Sequence, residues 1–155
     1  MPLPSPMLGQ ALTIQTQALK FRYQYLTEPA GQRRLKGDKM KATHYTDIQG
    51  TEMNNEIVKG ITGRVLIGKD DGAPNFCMRR FDVEPGGYAP RHTHDWEHEI
   101  YVLEGKGEAL VGDQWHVISP GTVIFVPPNV DHQIKNTSVG HLAFLCLIPS
   151  TAPEM

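Results

Sequence analysis

The stretch that decides the fold covers residues 86–105 and reads GGYAPRHTHDWEHEIYVLEG. Its second half is typical of a β-strand in which His98 and Ile100 share one face. An imidazole on the same face as buried aliphatic side chains points into the interior. His92 and His94 are two residues apart, so on a strand they would also project side by side. The stretch therefore predicts a β-rich fold with inward histidines grouped near one end.

A second stretch, residues 121–136, reads GTVIFVPPNVDHQIKN and supplies another histidine. The apolar run before Pro127 indicates a strand, and the Pro-Pro pair followed by Asn129 ends it in a turn. His132 then opens the next strand. We expect this turn to lie at the mouth of a barrel, with His132 beside the histidines of the first stretch.

The rest of the chain from about residue 60 follows the same pattern. Short apolar and β-branched runs alternate with Gly, Pro, Asp and Asn turns, and Gly112-Asp113 forms a predicted hairpin turn. Close turns with no clear helix favour an all-β sandwich or barrel. The predicted strands are Gly63–Ile67, Phe76–Val83, Glu99–Leu103, Glu108–Val111, Trp115–Ile118, Thr122–Val126, Gln133–Lys135 and Leu142–Ile148.

The two stretches resemble the two sequence motifs of the cupin superfamily. The first motif is G-x5-H-x-H-x(3,4)-E-x6-G, and it is matched by Gly86, His92, His94 and Gly105. The second is G-x5-P-x4-H-x3-N, and it is matched by Gly121, Pro127, His132 and Asn136. The resemblance implies a cupin barrel, that is, a double-stranded β-helix or jelly roll. The chain is similar to small single-domain cupins with a four-histidine manganese site.

The chain departs from the first motif at the glutamate, because the matching position holds His98. Glu99 fits only the longer spacing, and strand alternation turns it away from His98. The resemblance therefore implies one divalent metal ion, held by four nitrogen ligands. Manganese is the preferred ion, while iron, nickel, copper and zinc also accept imidazole. The implied ligands are His92, His94, His98 and His132.

Four neutral ligands would leave the full divalent charge on this site, where a carboxylate would cancel one unit. That favours an anionic ligand, and an octahedral ion would keep two positions open for substrate. Other residues near the motifs are weaker candidates. Carboxylates that flank the histidines could orient imidazole N–H groups or form solvated surface charge: Asp95, Glu97, Glu99 and Asp131. Side chains that could line the pocket are Trp96, Phe144 and Cys146.

Three function classes remain open at this point, and no catalytic residue is assigned. The first is a metal-dependent oxidoreductase, dioxygenase-like, acting on a small organic molecule. The second is a metal-dependent lyase or isomerase, which needs a general base near the metal. The third is a non-catalytic cupin that binds or senses a small ligand. The partner we expect is a small, anionic molecule, and the resemblance implies a homodimer.

Composition restricts partners and compartment. The chain has 155 residues and a formal net charge of -2, which gives no electrostatic basis for binding nucleic acid or an anionic membrane. Cys77 and Cys146 fit neither a zinc motif nor a disulfide framework. No apolar run could span a bilayer, and we expect no secretory signal before the domain. We expect a cytoplasmic protein.

Residues 1–39 form an N-terminal extension to a single cupin domain at 40–155. Lys36 to Lys39 directly precede Met40, and their back-translation contains a purine-rich AAGGAG typical of a bacterial ribosome-binding site. One hypothesis is that Met40 is the natural start and that residues 1–39 are a mis-assigned start. The other is a genuine N-terminal arm.

Overall fold

The computed structural model describes residues 40–155, which form an all-β domain. The predicted N-terminal extension, residues 1–39, lies outside the described residues. Two short 3-10 helices, Tyr45–Asp47 and Lys69–Asp71, are the helical elements of the described part, and neither is long enough to cross a membrane. The strands are β1 Thr51–Met53, β2 Lys59–Ile67, β3 Phe76–Tyr88, β4 His98–Glu104, β5 Gly107–Val111, β6 Gln114–Ile118, β7 Val123–Val126, β8 His132–Lys135 and β9 Leu142–Pro149.

The strands form one curled antiparallel sheet, the cupin barrel. The hydrogen-bonded order is β6-β5-β8-β3-β9-β4-β7, and β2 adds to β3 while β1 adds to β2. Several strands cross over to pair with strands that are distant in sequence. β3 pairs with β9 over its first eight residues, and Arg79 lies opposite Cys146. β4 pairs with β9 on one side and β7 on the other. These crossed pairings bring the starts of β4 and β8 close together, where two of the predicted ligands lie.

The barrel interior is filled by the inward-facing residues of these strands. Val83, Val102 and Leu142 are fully buried, and the aliphatic core extends through Ile61 and Ile148. Alternation along β9 is regular at its centre, where buried and half-buried residues follow one another. Burial of this apolar surface is the main force that holds the barrel together.

The predicted strands are confirmed with three differences, one of which is that β2 begins at Lys59 instead of Gly63. All eight predicted runs coincide with β2 to β9, and Gly112-Asp113 joins β5 to β6 as the predicted hairpin turn. β1 is only three residues long and was not predicted, because three residues carry no measurable alternation. β3 extends to Tyr88 instead of ending at Val83.

The longer β3 has a local cause. Its register with β2 slips between Lys59 and Ile61, so residues 84–87 form a bulge that accommodates Pro85 without breaking the strand. Gly86, at φ 70°, donates its N–H to the carbonyl of Asn136 at 3.1 Å. The bulge therefore keeps β3 beside the end of β8 and directs the chain toward the histidine-rich loop that follows.

Candidate metal centre

Four histidines come together at one end of the barrel, two from a single loop and two from the first positions of strands. His98 is the first residue of β4 and His132 is the first residue of β8. His92 lies in the loop after β3 and forms an isolated bridge with His132, with backbone N···O distances of 3.2 and 3.0 Å. His94 follows in the same loop, and its carbonyl accepts the N–H of Asn129 at 2.7 Å. The loop is thus tied at two points to the second motif.

This placement corrects one expectation from the sequence. The pair His92 and His94 does not lie on a regular strand, although the two imidazoles still converge. The reason is that Pro90 supplies no N–H and the chain must turn there toward β4. Backbone hydrogen bonds to the second motif, rather than strand alternation, aim the two rings.

The geometry of the four-histidine cluster is compact. One ring nitrogen from each residue lies within 4.8 Å of every other: His92, His94, His98 and His132. The Nε2 atoms of His94 and His98 are 2.7 Å apart. His98 and His132 are buried, with exposed fractions of 6% and 7%, while His92 is exposed. The cluster therefore opens to solvent on the His92 side and is closed on the other.

Backbone carbonyls orient three of the four rings. The Nδ1 atom of His92 lies 2.9 Å from the carbonyl of Pro90, and that of His132 lies 2.9 Å from the carbonyl of Val130. The Nδ1 atom of His94 lies 2.8 Å from the carbonyl of Trp96. A carbonyl can only accept, so each Nδ1 carries the proton and each Nε2 keeps its lone pair for the cluster centre.

His98 differs from the other three because side chains contact its Nδ1. The Sγ atom of Cys146 lies at 3.3 Å and the Nη2 atom of Arg79 at 3.5 Å. Arg79 Nη2 also donates to the same Sγ at 3.0 Å. Behind His98, the barrel therefore contains a buried guanidinium and a buried sulfur in contact with one another.

The electrostatic setting favours the neutral form of three of the rings, His94, His98 and His132. Burial, with a further contribution from Arg79, lowers the pKa of His98 to about 3. Burial also lowers the pKa of His94 and of His132 below the ordinary histidine value. Neutral imidazoles with free Nε2 lone pairs are the form that binds a metal ion.

These residues fit a divalent metal ion. The buried Nε2 atom of His132 has no hydrogen-bond partner within residues 40–155, which is costly for a buried polar atom unless something else binds it. The facing Nε2 atoms of His94 and His98 would repel each other as two bare lone pairs, so a proton or a cation must lie between them. An all-imidazole donor set suits manganese, iron, nickel, copper and zinc.

The predicted pocket residues divide between the cluster and the core. Trp96 stacks on His94, with ring centroids 4.0 Å apart and an interplanar angle of 4°. Cys146 contacts His98, as described above. Phe144 packs against Phe81 with centroids 5.4 Å apart and belongs to the hydrophobic core of the barrel.

The acidic residues that flank the histidines do not orient their rings. Asp131 pairs instead with Arg91, with an N···O distance of 2.6 Å. Glu97 and Glu99 line a separate groove of about 290 Å³, together with Phe76 and Leu147 among others. None of the four histidines lines that groove. The surface-charge interpretation of these carboxylates therefore agrees with the structure.

Arg79 is the residue near the cluster that sequence reasoning missed. The predicted strand Phe76–Val83 did contain a usable signal. Strand alternation places Arg79 on the same face as Cys77 and Val83, both buried, and so in the interior. A charged residue at an inward position of an otherwise apolar face is rare and usually has a specific role.

The fold and the cluster together define a cupin with a histidine-rich centre, and comparison with known proteins agrees. The Cupin_2 family, a cupin domain, matches residues 79–148. The structure of the polyketide cyclase RemF from Streptomyces resistomycificus is similar at 36% identity and a TM-score of 0.67, over 72% of this chain and 80% of that one. The chain belongs to the cupin superfamily.

Curated relatives match over shorter regions. The 1-methylthio-D-xylulose 5-phosphate methylsulfurylase of Rhodospirillum rubrum is 31% identical over 71 residues, 46% of this chain and 46% of that protein. A glucose-6-phosphate isomerase of Pyrococcus abyssi is 34% identical over 85 residues, 51% of this chain and 43% of that protein. The chain thus spans less than half the length of these relatives.

Proposed function

We propose that this chain is a metal-dependent cupin enzyme that binds an oxygen of a small organic substrate at a divalent ion. The observation that carries the proposal is the all-nitrogen composition of the four-histidine cluster. No carboxylate belongs to the cluster, so a divalent ion held there would keep its full positive charge. Such an ion attracts a carbonyl, enolate or carboxylate oxygen and polarises it as a Lewis acid.

The chain's own residues hold and shield this centre. The carbonyls of Pro90, Trp96 and Val130 fix the Nδ1–H tautomers, so that Nε2 faces the centre. Trp96 covers one face of His94 and excludes water from it. The open side lies at the exposed His92, where a substrate would enter. No acidic residue within residues 40–155 joins the cluster, so the proposal assigns the rate enhancement to charge and positioning rather than to a carboxylate base.

The relatives support non-redox chemistry on oxygen-rich substrates. The similarity to a polyketide cyclase covers 80% of that chain, and an isomerase of a phosphorylated sugar is among the curated matches. One name describes the closure of a ring in a polyketide and the other the isomerisation of a sugar phosphate, and both substrate classes carry carbonyl or hydroxyl oxygens. We therefore place the reaction in the cyclase or isomerase class, with a carbonyl compound as substrate.

A second candidate is the oxidoreductase, dioxygenase-like, that the sequence alone placed first. One observation favours it: four neutral imidazoles accept the redox-active ions manganese and iron as well as zinc. Neutral ligands also favour the divalent over the trivalent state of a redox-active ion. The two candidates differ in whether the ion must be able to change its oxidation state.

The identity of the metal therefore provides the test. Metal-free protein is loaded separately with zinc, which has no redox chemistry, and with manganese or iron. Each form is incubated in D₂O with a panel of β-dicarbonyl and sugar-phosphate compounds, and deuterium incorporation, product formation and oxygen uptake are followed. Activity of the zinc form without oxygen uptake supports the proposal. Turnover only with manganese or iron, coupled to oxygen uptake, supports the oxidoreductase, and binding without conversion by any form supports a sensing role.

Two variants control for adventitious metal chemistry. His132→Ala removes one predicted ligand and should abolish conversion. His116→Ala changes an exposed histidine on β6 outside the cluster and should leave conversion unchanged. Equal activity in both variants would mean that free metal, rather than the cluster, performs the reaction.

A further inference from the structure

His98 is the one member of the cluster whose Nδ1 is contacted by side chains rather than by a backbone carbonyl. When its Nε2 faces a metal ion, its Nδ1 must carry the proton and donate it. The acceptor available in the structure is the Sγ atom of Cys146, at 3.3 Å. Sulfur is a weaker acceptor than a carbonyl oxygen. The hydrogen bond that orients the ring of His98 is therefore weaker than the hydrogen bonds that orient the other three rings.

Arg79 weakens this hydrogen bond further. Its Nη2 donates to the same sulfur at 3.0 Å, so the two donors share one acceptor. Arg79 and Cys146 are directly opposite each other on β3 and β9, which holds this contact in register. The Nδ1 atom of His98 lies 3.5 Å from Nη2. When Nδ1 carries the proton, two N–H donors face each other there unfavourably.

The charge of Arg79 is also uncompensated. Its side chain is 8% exposed, and within residues 40–155 no carboxylate forms an ion pair with it. Its Nη1 donates to the backbone carbonyl of Glu154 at 3.4 Å, and its Nε has no partner in the described residues. A buried cation without a counter-ion is costly and is retained where it has a role. Here it lies directly behind a ring of the cluster.

We propose that Cys146 and Arg79 are positioning residues of the metal centre: the sulfur orients His98, and the guanidinium weakens His98 as a ligand. His98 is then the weakest of the four donors, and the centre binds its ion less tightly and with more residual charge than four equivalent histidines would. The inference rests on the proposed metal site.

The test is a titration of metal-free protein with Co²⁺, followed by its visible ligand-field bands, which report the geometry and strength of the donors. Wild type should bind one ion, and His98→Ala should abolish the bands. Loss of an outer hydrogen-bond partner changes metal affinity by about 10–100-fold. We therefore expect Cys146→Ala to weaken Co²⁺ binding about tenfold and to shift the bands. Cys146→Ser, whose hydroxyl still accepts, should restore both.

For the role of Arg79, the decisive result is whether Arg79→Met binds Co²⁺ more tightly or more weakly than wild type. Removal of the competing donor and its charge should tighten Co²⁺ binding by about tenfold, while a merely structural Arg79 would weaken it. If Arg79→Met does not fold, Arg79→Gln gives the same test with a polar side chain. The matched control is Cys77→Ala, which removes the other buried thiol, on β3.

Each outcome separates the inference from the proposed function. If wild type binds no Co²⁺, the proposed metal site is wrong. If wild type binds Co²⁺ but Cys146→Ala matches Cys77→Ala in affinity and bands, the positioning role of Cys146 is wrong. Weaker binding by the folded Arg79 variants overturns the role assigned to Arg79. The Cys146 variants test the sulfur independently of whether any Arg79 variant folds.

Discussion

The Nε2 atoms of His94 and His98 lie 2.7 Å apart, although the carbonyl of Trp96 holds the proton of His94 on Nδ1. Two lone pairs at this distance are stable only with a proton or a cation between them. His94 lies in a loop and His98 begins β4, so the contact depends on the loop being tied to Asn129. The same atoms are close to His132 Nε2, which has no other partner among the described residues. A cation would satisfy all three nitrogens.

The first prediction tests these two histidines directly. His94→Ala or His98→Ala should each weaken binding of Mn²⁺ or Co²⁺ by more than about a hundredfold, because loss of a ligand costs more than loss of an outer partner, which is 10–100-fold. Isothermal titration calorimetry on chelator-treated protein measures the effect. His116→Ala should bind like wild type, since this exposed side chain lies outside the cluster. A variant of His94 that binds metal normally would remove it from the ligand set.

The second prediction concerns acid stability without metal. The pKa of His98 in the folded chain is about 3, below its ordinary value of 6.5. Between these two pH values the unfolded chain binds a proton at His98 and the folded chain does not. The free energy of unfolding should therefore fall as pH decreases from about 6.5 toward 3, by about 1.4 kcal/mol per pH unit for each such proton. The lowered pKa values of His94 and His132 act in the same direction.

Urea unfolding in the presence of a chelator, at a series of pH values, measures this slope. His98→Gln removes one of the titrating rings, so the free energy of unfolding should change less steeply with pH between about 6.5 and 3. His116→Gln is the matched control, and its slope should equal that of wild type. Equal slopes for His98→Gln and wild type would show that His98 does not contribute to acid unfolding.

Much of the fold could be predicted because its signals are local. Alternation along runs such as residues 142–148, and turns at Gly112 and Pro127, are visible in the sequence itself. The two motifs also placed His132 beside the first stretch, although the two are far apart in sequence. β1 escaped prediction because its short pairing with β2 depends on tertiary contacts.

The surroundings of the cluster were harder to predict, since they depend on register between distant strands. Arg79 and Cys146 meet because β3 pairs with β9 in one particular register, which sequence alternation does not determine. The orientation of His94 depends on the carbonyl of Trp96, and backbone acceptors carry no residue-type signal. Carboxylates near the histidines were visible in the sequence, but they point elsewhere.

The third prediction concerns Asn136, the last residue of the second motif. Its side chain is 2% exposed, and its Nδ2 donates to the carbonyls of Val83 at 2.9 Å and Gly140 at 2.7 Å. Its Oδ1 accepts the N–H of Ser138 at 3.0 Å. Asn136→Ala would remove the donor to the buried Val83 carbonyl and would leave the exposed Gly140 carbonyl with the Ser138 hydroxyl, at a cost of about 1–3 kcal/mol in the free energy of unfolding.

Thermal and urea unfolding measure this loss, and the metal titration shows whether it is confined to the scaffold. We expect the folded fraction of Asn136→Ala to bind Co²⁺ with the affinity of wild type, because Asn136 does not belong to the cluster. Ser138→Ala removes a hydroxyl that contacts Asn136 and the carbonyl of the exposed Gly140, and it should cost less than about 1 kcal/mol. A large loss of metal affinity in Asn136→Ala would place it in the centre rather than in the scaffold.

The fourth prediction separates two motif glycines that have the same backbone conformation. Gly105 and Gly121 have φ of 81° and 89°, a region in which a Cβ costs about 1–2 kcal/mol. Around Gly121 a Cβ meets nothing within 4 Å. At Gly105 it would overlap the carbonyl oxygen of His141 and lie 2.7 Å from the Cα of Leu142, which is backbone that cannot move aside.

Gly121→Ala should therefore be destabilised by the backbone conformation alone. In Gly105→Ala the free energy of unfolding should fall by about 1–3 kcal/mol more, because of overpacking. Urea unfolding of the two variants beside wild type measures the difference. The close approach at Gly105 keeps the β4–β5 turn packed against the start of β9. If the turn is pushed away, β9 and its residue Cys146 should become less firmly held. Equal destabilisation by the two substitutions would mean that the turn can move away from β9, and that φ alone explains both glycines.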